Sequence, residues 1–550
     1  MPAPVEVRDL RIHLGAGSDT VRAVDGVSFA LADREILAIV GESGSGKTVT
    51  SRALLGMFPP HARVSGTIVV DGHDVARASR TELRHLRGTS AAMVFQEPST
   101  ALNPVFTVGW QIEEGLRAHG IGERAERRRR ALDMLRVVGI PDPERRYGDY
   151  PHQFSGGQKQ RIVIAMALTL QPAVIIADEP TTALDVTVQA EILDVLRRCR
   201  DELGTAIVLV THNMGVVADL ADRVVVMRAG KIVESADCQT LFSRPEHEYT
   251  RQLLAAVPRL SGDPSGETLA QPHTEAPAVR AEGLEIRYPG RFRRPGFHAV
   301  RGVDFQIGRS EVLGLVGESG SGKSTIGRAL IGLAPVTAGA LTVLDTDVAQ
   351  ASSAELRRLR RRVGFVFQDP ASSFNPFMTV FECIAEPLRI HRAGTDQREV
   401  RRRVTDLLDA VRLPTSCLGR SSTELSGGQR QRVGIARALV LGPELVIADE
   451  PTSALDVSVQ ASVLELLREL RADLGFAALF ITHDLAVVEQ FADRIGVLRS
   501  GELVETAAAH QLLTRPADAY TRALVAAVPV PDPVEQRRRR LSRQKPDRLR

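Results

Sequence analysis

The chain has 550 residues, of which 43% are hydrophobic and 25% charged, and its formal net charge is +3. The length excludes a single small module, and the composition excludes wholesale disorder. Residues 537–550 hold eight Lys or Arg and one Asp, so this end carries +7 and the other 536 residues sum to −4. A slightly acidic body lacks the many cations that nucleic-acid binding needs, so we expect no nucleic-acid partner.

The sequence carries no signal for export, membrane insertion or cysteine-bound metal. Its four cysteines form no C-x-x-C pair, which indicates a reducing compartment and no iron–sulfur cluster. The first ten residues contain acids and Arg, unlike a secretory signal. The longest uncharged apolar run, 162–177, is shorter than the ~18 to 20 residues that a spanning helix needs. Any membrane role is therefore expected to come through partners.

A tandem repeat sets the domain organisation. GESGSGKT returns as GESGSGKS, SGGQKQR as SGGQRQR, and ADEPTTALDV as ADEPTSALDV, with offsets of 271 to 276 residues. We therefore predict two copies of one domain, at 1–259 and 279–530. Residues 260–278 are rich in Ser, Gly, Pro and Thr and predict a flexible linker, whereas 531–550 predict a basic, disordered tail.

Apolar strands and helical segments alternate within each copy, which predicts an α/β domain with a mainly parallel core sheet. The segments at about 97–150 and 369–421 are rich in Arg, Leu and Glu at helical spacing, and predict an inserted helical subdomain in each copy.

The first motif in chain order is a phosphate-binding loop between an apolar strand and a helix. Its glycines leave backbone N–H groups free to surround phosphates, its Lys reaches the β- and γ-phosphates, and its Thr or Ser ligates Mg²⁺. The residues are Gly41, Glu42, Ser43, Gly44, Ser45, Gly46, Lys47 and Thr48 in the first copy, and Gly317, Glu318, Ser319, Gly320, Ser321, Gly322, Lys323 and Ser324 in the second.

The SGGQ motif has the spacing of a helix capping box, and an apolar helix follows it. Beyond capping, its hydroxyl and its bare Gly–Gly N–H groups are a candidate second anion site. The residues are Ser155, Gly156, Gly157 and Gln158, and Ser426, Gly427, Gly428 and Gln429.

An Asp–Glu pair follows an apolar strand in each copy. Asp178 and Asp449 are candidates for the Mg²⁺ shell at the edge of the sheet. Glu179 and Glu450 stand one residue further on, where a carboxylate can orient or deprotonate an attacking water.

Phosphate loop, Gln, SGGQ, Asp–Glu and His occur in this order twice, and resemble the nucleotide-binding domain of ATP-binding cassette (ABC) proteins. The resemblance implies two P-loop ATPase domains, each with an antiparallel β part beside the core sheet, and two ATP molecules bound head to tail. It gives Gln96 and Gln368 a place beside Mg²⁺ and the water, and His212 and His483 a contact with the γ-phosphate. Each site would join one copy's phosphate loop to the other copy's SGGQ.

Two differences between the copies bear on the predicted sites. Asn213 follows His212 where Asp484 follows His483. Tyr288 occupies the position where the family stacks an aromatic ring on adenine, whereas the first copy has Leu14, so we expect the first site to hold ATP less tightly.

Among ABC proteins, the segments after Gln96 and Gln368 and the closing EYT and AYT segments resemble the ATPases of oligopeptide, dipeptide and nickel importers. The resemblance implies two integral membrane permeases and an extracellular binding protein as partners, and a place on the cytoplasmic face of the membrane. A two-cassette ATPase acting on ribosomes and a sugar-importer ATPase stay open as alternatives. For the tail, contact with anionic lipid and a purely solubilising role both stay open.

Overall fold

The computed structural model describes residues 3–15, 20–182, 184–258, 276–290, 296–369, 373–391, 396–452 and 455–543. The chain divides into two compact units, Met1–Val257 with Pro529–Arg550, and Pro258–Val528. Of the predicted linker 260–278, residues 260–275 lie outside the described part of the chain.

The first unit contains two sheets. A four-stranded antiparallel sheet has the order β2-β1-β4-β5, and a six-stranded sheet has the order β10-β9-β3-β8-β7-β6, parallel except for the β9–β10 pair. The strands are β1 (Val5–Leu14), β2 (Val21–Leu31), β3 (Ile36–Val40), β4 (Arg63–Val70), β5 (His73–Asp74), β6 (Ala91–Val94), β7 (Val174–Asp178), β8 (Ala206–Val210), β9 (Arg223–Arg228) and β10 (Lys231–Asp237). Every residue of β3, β7 and β8 is buried, as expected for parallel strands covered on both faces.

Helices cover one face of the six-stranded sheet, and the other face shares a core with the four-stranded sheet. Four helices fall within the predicted insertion 97–150. The helices are α1 (Lys47–Ala53), α2 (Arg80–Thr89), α3 (Pro98–Ala101), α4 (Val108–Ala118), α5 (Arg124–Val137), α6 (Pro143–Arg146), α7 (Gly156–Leu168), α8 (Val186–Leu203), α9 (Met214–Leu220), α10 (Cys238–Ser243) and α11 (Glu248–Ala255). The apolar faces of α4, α5, α7 and α8 share one core with β6, β7 and β8.

The second unit repeats this arrangement, with sheet orders β12-β11-β14-β15 and β16-β17-β18-β13-β19-β20. Its strands are β11 (Val279–Tyr288), β12 (Phe297–Ile307), β13 (Val312–Gly317), β14 (Ala338–Val343), β15 (Thr346–Asp347), β16 (Val363–Val366), β17 (Leu445–Asp449), β18 (Ala477–Ile481), β19 (Arg494–Arg499) and β20 (Glu502–Ala508). Its helices are α12 (Lys323–Leu330), α13 (Ser353–Arg362), α14 (Val380–Ile390), α15 (Gln397–Ala410), α16 (Gly427–Leu439), α17 (Val457–Leu474), α18 (Leu485–Glu489), α19 (Ala509–Thr514) and α20 (Ala519–Ala527). The predicted α/β class with a parallel core is confirmed.

The sheet order positions the motifs. Strand β3 lies between β8 and β9, and β7 lies beside β8, all four parallel. Because the carboxyl ends of parallel strands meet at one edge, the segments that follow β3, β7 and β8 converge there. The same edge in the second unit collects the segments that follow β13, β17 and β18.

The expectation of a disordered tail is wrong for most of its length. Helix α21 (Pro533–Arg543) packs against α9 and α10 of the first unit. The side chain of Asp532 caps this helix by accepting hydrogen bonds from the N–H groups of Val534 and Glu535. Pro533 occupies the first helical position. An Asp cap followed by Pro starts a helix, although the basic composition of this segment predicts disorder. Residues 544–550 lie outside the described part of the chain.

Two contacts hold this segment on the first unit. Arg540 Nη1 donates to the backbone oxygen of Asp219 at 3.2 Å and lies 3.5 Å from its carboxylate. Pro529 lies directly over Gly215 in α9, where an added Cβ would come within 2.8 Å of the Pro529 carbonyl oxygen. The second unit has Ala486 at the position of Gly215, so a glycine stands where the segment approaches the helix.

We predict that Gly215→Ala displaces the segment from α9, because the Pro529 backbone cannot give way as a flexible side chain would. Amide hydrogen exchange across 530–540 should accelerate by at least tenfold, with the rest of the first unit unchanged. Gly115→Ala in α4 is the control, since its new Cβ would make only an ordinary contact of 3.5 Å with Leu170. Unchanged exchange in Gly215→Ala would contradict the packing described here.

Candidate active site

The phosphate loop of each unit connects a buried strand to a helix and requires glycine at two positions. Gly41 and Gly46 have φ angles of 149° and 98°. A Cβ at Gly41 would lie 2.2 Å from the carbonyl oxygen of Met227, and one at Gly46 would lie 2.4 Å from that of Ala23. The backbone therefore packs against neighbouring strands more closely than any side chain allows.

The second unit repeats this geometry. Gly317 and Gly322 have φ angles of 148° and 109°, and their added Cβ atoms would lie 2.0 Å and 2.5 Å from backbone oxygens of Leu498 and Ala299. The predicted loop is thus formed in the same way in both units.

A buried lysine holds each loop from inside. Lys47 Nζ donates to the carbonyl oxygens of Gly41 at 2.6 Å and Glu42 at 2.8 Å. Lys323 Nζ donates to those of Gly317 at 2.8 Å and Glu318 at 2.7 Å. Both lysines are about 95% buried, so these carbonyls supply the polar partners that a desolvated ammonium needs.

A hydroxyl and a carboxylate meet beside each loop. Thr48 Oγ1 lies 3.4 Å from Asp178 Oδ1, and Ser324 Oγ donates to Asp449 Oδ1 at 2.8 Å. Burial raises the pKa of both aspartates, which end strands β7 and β17. Carboxylate and hydroxyl oxygens are the ligand types that Mg²⁺ prefers, so this donor set fits the ion.

The carboxylate of Glu179 is the centre of a hydrogen-bonded cluster in the first unit. Its Oε2 accepts from Gln96 Nε2 at 2.8 Å and Thr182 Oγ1 at 2.9 Å, and its Oε1 lies 3.0 Å from His212 Nδ1. Burial works against ionisation, but the interactions with His212, Thr182 and Lys47 together outweigh it and lower the pKa of Glu179. The side chain is therefore an ionised acceptor at neutral pH.

Glu450 has the same surroundings in the second unit. Gln368 Nε2 donates to its Oε2 at 3.0 Å, and His483 Nδ1 lies 3.4 Å from its Oε1. Burial opposes ionisation here too, but the interactions with His483, Lys323 and Gln368 together outweigh it, so the pKa of Glu450 is lowered. The backbone of Glu450 and of Glu179 adopts a positive φ, 48° and 49°, a strained conformation that accumulates at functional sites.

Asn213 and Asp484 each cap the helix that follows the histidine. The side-chain oxygen of Asn213 caps α9 by accepting from the N–H groups of Gly215 and Val216, and Asp484 caps α18 by accepting from those of Ala486 and Val487. The substitution therefore preserves the position of the histidine and removes only a negative charge.

The SGGQ residues form the predicted capping boxes. Gln158 N donates to Ser155 Oγ at 3.3 Å and Ser155 N donates to Gln158 Oε1 at 3.2 Å, and Ser426 and Gln429 repeat the pair. Within the described part of the chain, these bonds close inside the turn and do not reach the phosphate loop of the same unit. Gly157 packs tightly on α8, where an added Cβ would lie 2.1 Å from Val188 Cγ1.

Tyr288 and Leu14 occupy equivalent places, as predicted, since they are the last residues of β11 and β1. Each side chain is partly buried against the core of its own unit.

The sequence analysis did not predict Thr182 as a site residue. The repeat offered a signal, because both copies have hydroxyl residues after the Asp–Glu pair, TT in the first and TS in the second. The counterpart of Thr182 in the second copy, Ser453, lies outside the described residues.

Comparison with known proteins identifies the family. The profile described as ABC transporter matches residues 24–182 and 300–453, which together make up more than half of the chain. The chain belongs to this family. Its two units are ABC cassettes, domains that hydrolyse ATP to power transport. A second profile, described as the C-terminal region of oligopeptide/dipeptide transporters, matches 233–283 and 504–550.

Similar proteins have the same tandem organisation along nearly their full length. The peptidoglycan transport ATP-binding protein YejF of Agrobacterium fabrum is 45% identical over 95% of this chain and 96% of its own. The glutathione import ATP-binding protein GsiA of Escherichia coli K12 is 43% identical over 97% of this chain and 91% of its own.

A solved structure is also similar to part of the chain. The ATP-binding cassette MJ0796, described in a dimeric post-hydrolysis state with ADP and Pi, is 31% identical over 42% of this chain and 98% of its own, with a TM-score of 0.39. Among the residues described for this ABC protein, no helix combines the length and apolar character that crossing a bilayer requires.

The charge of Asp484 leads to a prediction about pH. Burial works against the charged form of His483, but the hydrogen bond and charge of Glu450, with the charge of Asp484, outweigh it and raise the pKa of His483 above 6.5. The stability that the imidazolium contributes is therefore complete below pH 6.5 and is lost as the pH rises through the raised value.

We predict that Asp484→Asn lowers the pKa of His483, so that this stability is lost at a lower pH, while the α18 cap survives as it does with Asn213. NMR titration of the His483 ring measures the shift directly. The control is Asp473→Asn, which removes the same charge from an exposed site at the end of α17. An unchanged His483 titration in Asp484→Asn would contradict the electrostatic role.

Proposed function

We propose that this chain is the energising subunit of an importer for peptides or a related small solute, such as a nickel complex. The observation that carries the proposal is that both cassettes have complete clusters of Lys, Asp, Glu, Gln and His, in a chain that also matches the peptide-transporter C-terminal region twice. The names of the similar proteins, which refer to peptidoglycan and glutathione, agree with a peptide-like cargo.

In the proposed mechanism, each phosphate loop binds ATP through its backbone N–H groups and its lysine. An arriving phosphate would compete with the loop carbonyls for the ammonium of Lys47 or Lys323, so binding and loop conformation are coupled. Mg²⁺ would neutralise charge on the phosphates, held by Thr48, Asp178 and Gln96 in one cassette and by Ser324, Asp449 and Gln368 in the other.

The ionised carboxylates of Glu179 and Glu450 then act on the attacking water. Each is ionised at neutral pH and has fixed neighbours, so it can accept a hydrogen bond from the water and take its proton as the water oxygen bonds to the γ-phosphorus. The bond from that phosphorus to the bridging oxygen of ATP breaks in the same step, and ADP leaves. His212 and His483, in contact with these carboxylates, hold them in place and are proposed to contact the γ-phosphate.

We further propose that the SGGQ residues of each cassette complete the nucleotide site of the other, and that ATP binding and hydrolysis alternately close and reopen the pair. This step rests on the family resemblance. Two membrane permeases would convert the motion into alternating access, and an extracellular binding protein would deliver the cargo. The ATPase would then lie on the cytoplasmic face of the membrane.

Co-purification from native membranes tests the importer proposal. Recovery of two permeases and a binding protein with the tagged chain would support it. Recovery of ribosomes in place of the permeases would contradict it, and a sugar-binding protein would change the proposed cargo.

We predict that Glu179→Gln and Glu450→Gln each lower ATP turnover by about 10² to 10⁴-fold at the altered site, because the amide cannot take the proton of the water. The assay is phosphate release by the chain assembled with its permeases. Glu144→Gln, at an exposed position, is the matched control. If either variant kept the full rate, that site would be regulatory and the two cassettes would not be equivalent in catalysis.

A difference in affinity is also expected. We propose that Tyr288 stacks on adenine, whereas Leu14 offers no aromatic face, so the second site should bind ATP more tightly by about 1 to 3 kcal/mol at most. Photolabelling at limiting nucleotide, followed by cleavage between the cassettes, separates the two sites. Tyr288→Leu should equalise the labelling, and equal labelling in the unaltered chain would contradict the proposal.

For the C-terminal segment we propose contact with anionic lipid through its exposed cations. Arg537 and Arg538 are exposed on α21, whereas Arg540 contacts Asp219. Each surface cation can contribute about 1 kcal/mol of attraction to an anionic membrane. Arg537→Gln with Arg538→Gln should weaken binding to phosphatidylserine vesicles at low salt without changing ATP turnover. Unchanged vesicle binding would leave the segment with no role at the membrane.

A further inference from the structure

The closing helix of each cassette contains a tyrosine that reaches the phosphate loop. The hydroxyl oxygen of Tyr249 in α11 accepts a hydrogen bond from Glu42 N at 3.1 Å, across 207 residues of sequence. In α20 of the second cassette, Tyr520 accepts from Glu318 N at 3.3 Å. These tyrosines belong to the EYT and AYT motifs, which the proposed mechanism does not otherwise use.

Each tyrosine is held firmly. Tyr249 is 4% exposed and Tyr520 is 9% exposed. The guanidinium of Arg228 lies 4.8 Å from the centre of the Tyr249 ring, and that of Arg499 lies 4.9 Å from the Tyr520 ring. These arginines end β9 and β19, one residue after the carbonyls that pack against Gly41 and Gly317. The tyrosine ring and the phosphate loop therefore both pack on the end of the same strand.

The start of each closing helix is anchored by a glutamate of the preceding strand. Glu234 in β10 accepts from the N–H groups of Glu246 and His247 at 2.9 Å and 3.0 Å. Glu505 in β20 accepts from the N–H groups of two equivalent residues at 2.8 Å and 3.0 Å. The side chains at these turn positions differ between the cassettes, so the shared feature is the anchoring of the backbone that carries the tyrosine.

One residue of each loop connects the tyrosine to the lysine. The N–H of Glu42 donates to Tyr249, and the carbonyl of the same residue accepts from Lys47 Nζ at 2.8 Å. Glu318 makes the same two bonds, to Tyr520 and to Lys323 Nζ. A tyrosine that fixes this residue also limits where the lysine can be held.

We propose that Tyr249 and Tyr520 are positioning residues for the two phosphate loops. Each hydroxyl fixes the second residue of its loop, so that the lysine and the following N–H groups are preorganised for the phosphates of ATP. The peptide-transporter C-terminal region thereby contributes to nucleotide binding in each cassette. This inference rests on the proposed nucleotide site.

The test is removal of the hydroxyls in the full chain assembled with its permeases. Tyr249→Phe and Tyr520→Phe keep the ring and its arginine contact but lose the acceptor. Because each hydroxyl positions the loop for binding and does not touch the reacting groups, we expect the KM for ATP to rise by about 2- to 10-fold with kcat nearly unchanged. Equilibrium binding of ATP should weaken by the same factor.

Tyr150→Phe is the matched control, because its ring is 40% exposed. A purely structural tyrosine would lower the thermal unfolding midpoint without moving KM, and that result would overturn the inference. Unchanged KM in both tyrosine variants, with ATP binding abolished by Lys47→Ala and Lys323→Ala, would overturn the positioning role alone. Normal ATP binding in the lysine variants would overturn the proposed nucleotide site, and this inference with it.

Discussion

A buried ammonium group bound by its own loop is the interaction on which each cassette depends. A desolvated lysine is costly unless carbonyl oxygens satisfy it, and the carbonyls of the first two loop residues do so in both cassettes. To bring those carbonyls inward, the backbone must approach neighbouring strands where only glycine fits. The loop is thereby shaped around a cation, which suits the phosphate binding that we propose for it.

Because the cassette is duplicated within one chain, equivalent residues of the two sites can be compared. Thr48 and Ser324 exchange freely because either hydroxyl can approach the aspartate at the end of the strand. Asn213 replaces Asp484 because either side chain caps the following helix, and only the charge beside the histidine changes. Gly215 replaces Ala486 for a different reason, since the C-terminal segment packs on that helix in the first cassette.

The sequence predicted the parts of the fold and site that depend on local patterns. Buried strands before the loop and before Asp178, and the capping boxes at Ser155 and Ser426, follow from short-range periodicity and spacing. The contact of Tyr249 with Glu42 was not predicted, because it joins residues 207 positions apart and no local signal marks it.

The C-terminal helix was missed for a related reason. Its many arginines favour disorder by composition, whereas its order comes from the cap at Asp532 and from packing on a distant helix. The composition of a segment indicates its average preference for solvent, but it contains no information about the surface on which the segment packs.

We propose that one chain contains two nucleotide sites, each dependent on its own buried lysine. Equilibrium binding of ATP to the full chain, with both Glu179 and Glu450 replaced by Gln to stop turnover, tests it by stoichiometry. We expect two ATP molecules per chain, and one when either Lys47 or Lys323 is replaced by Ala. A single bound nucleotide with both lysines intact, or loss of both nucleotides on replacing one lysine, would contradict it.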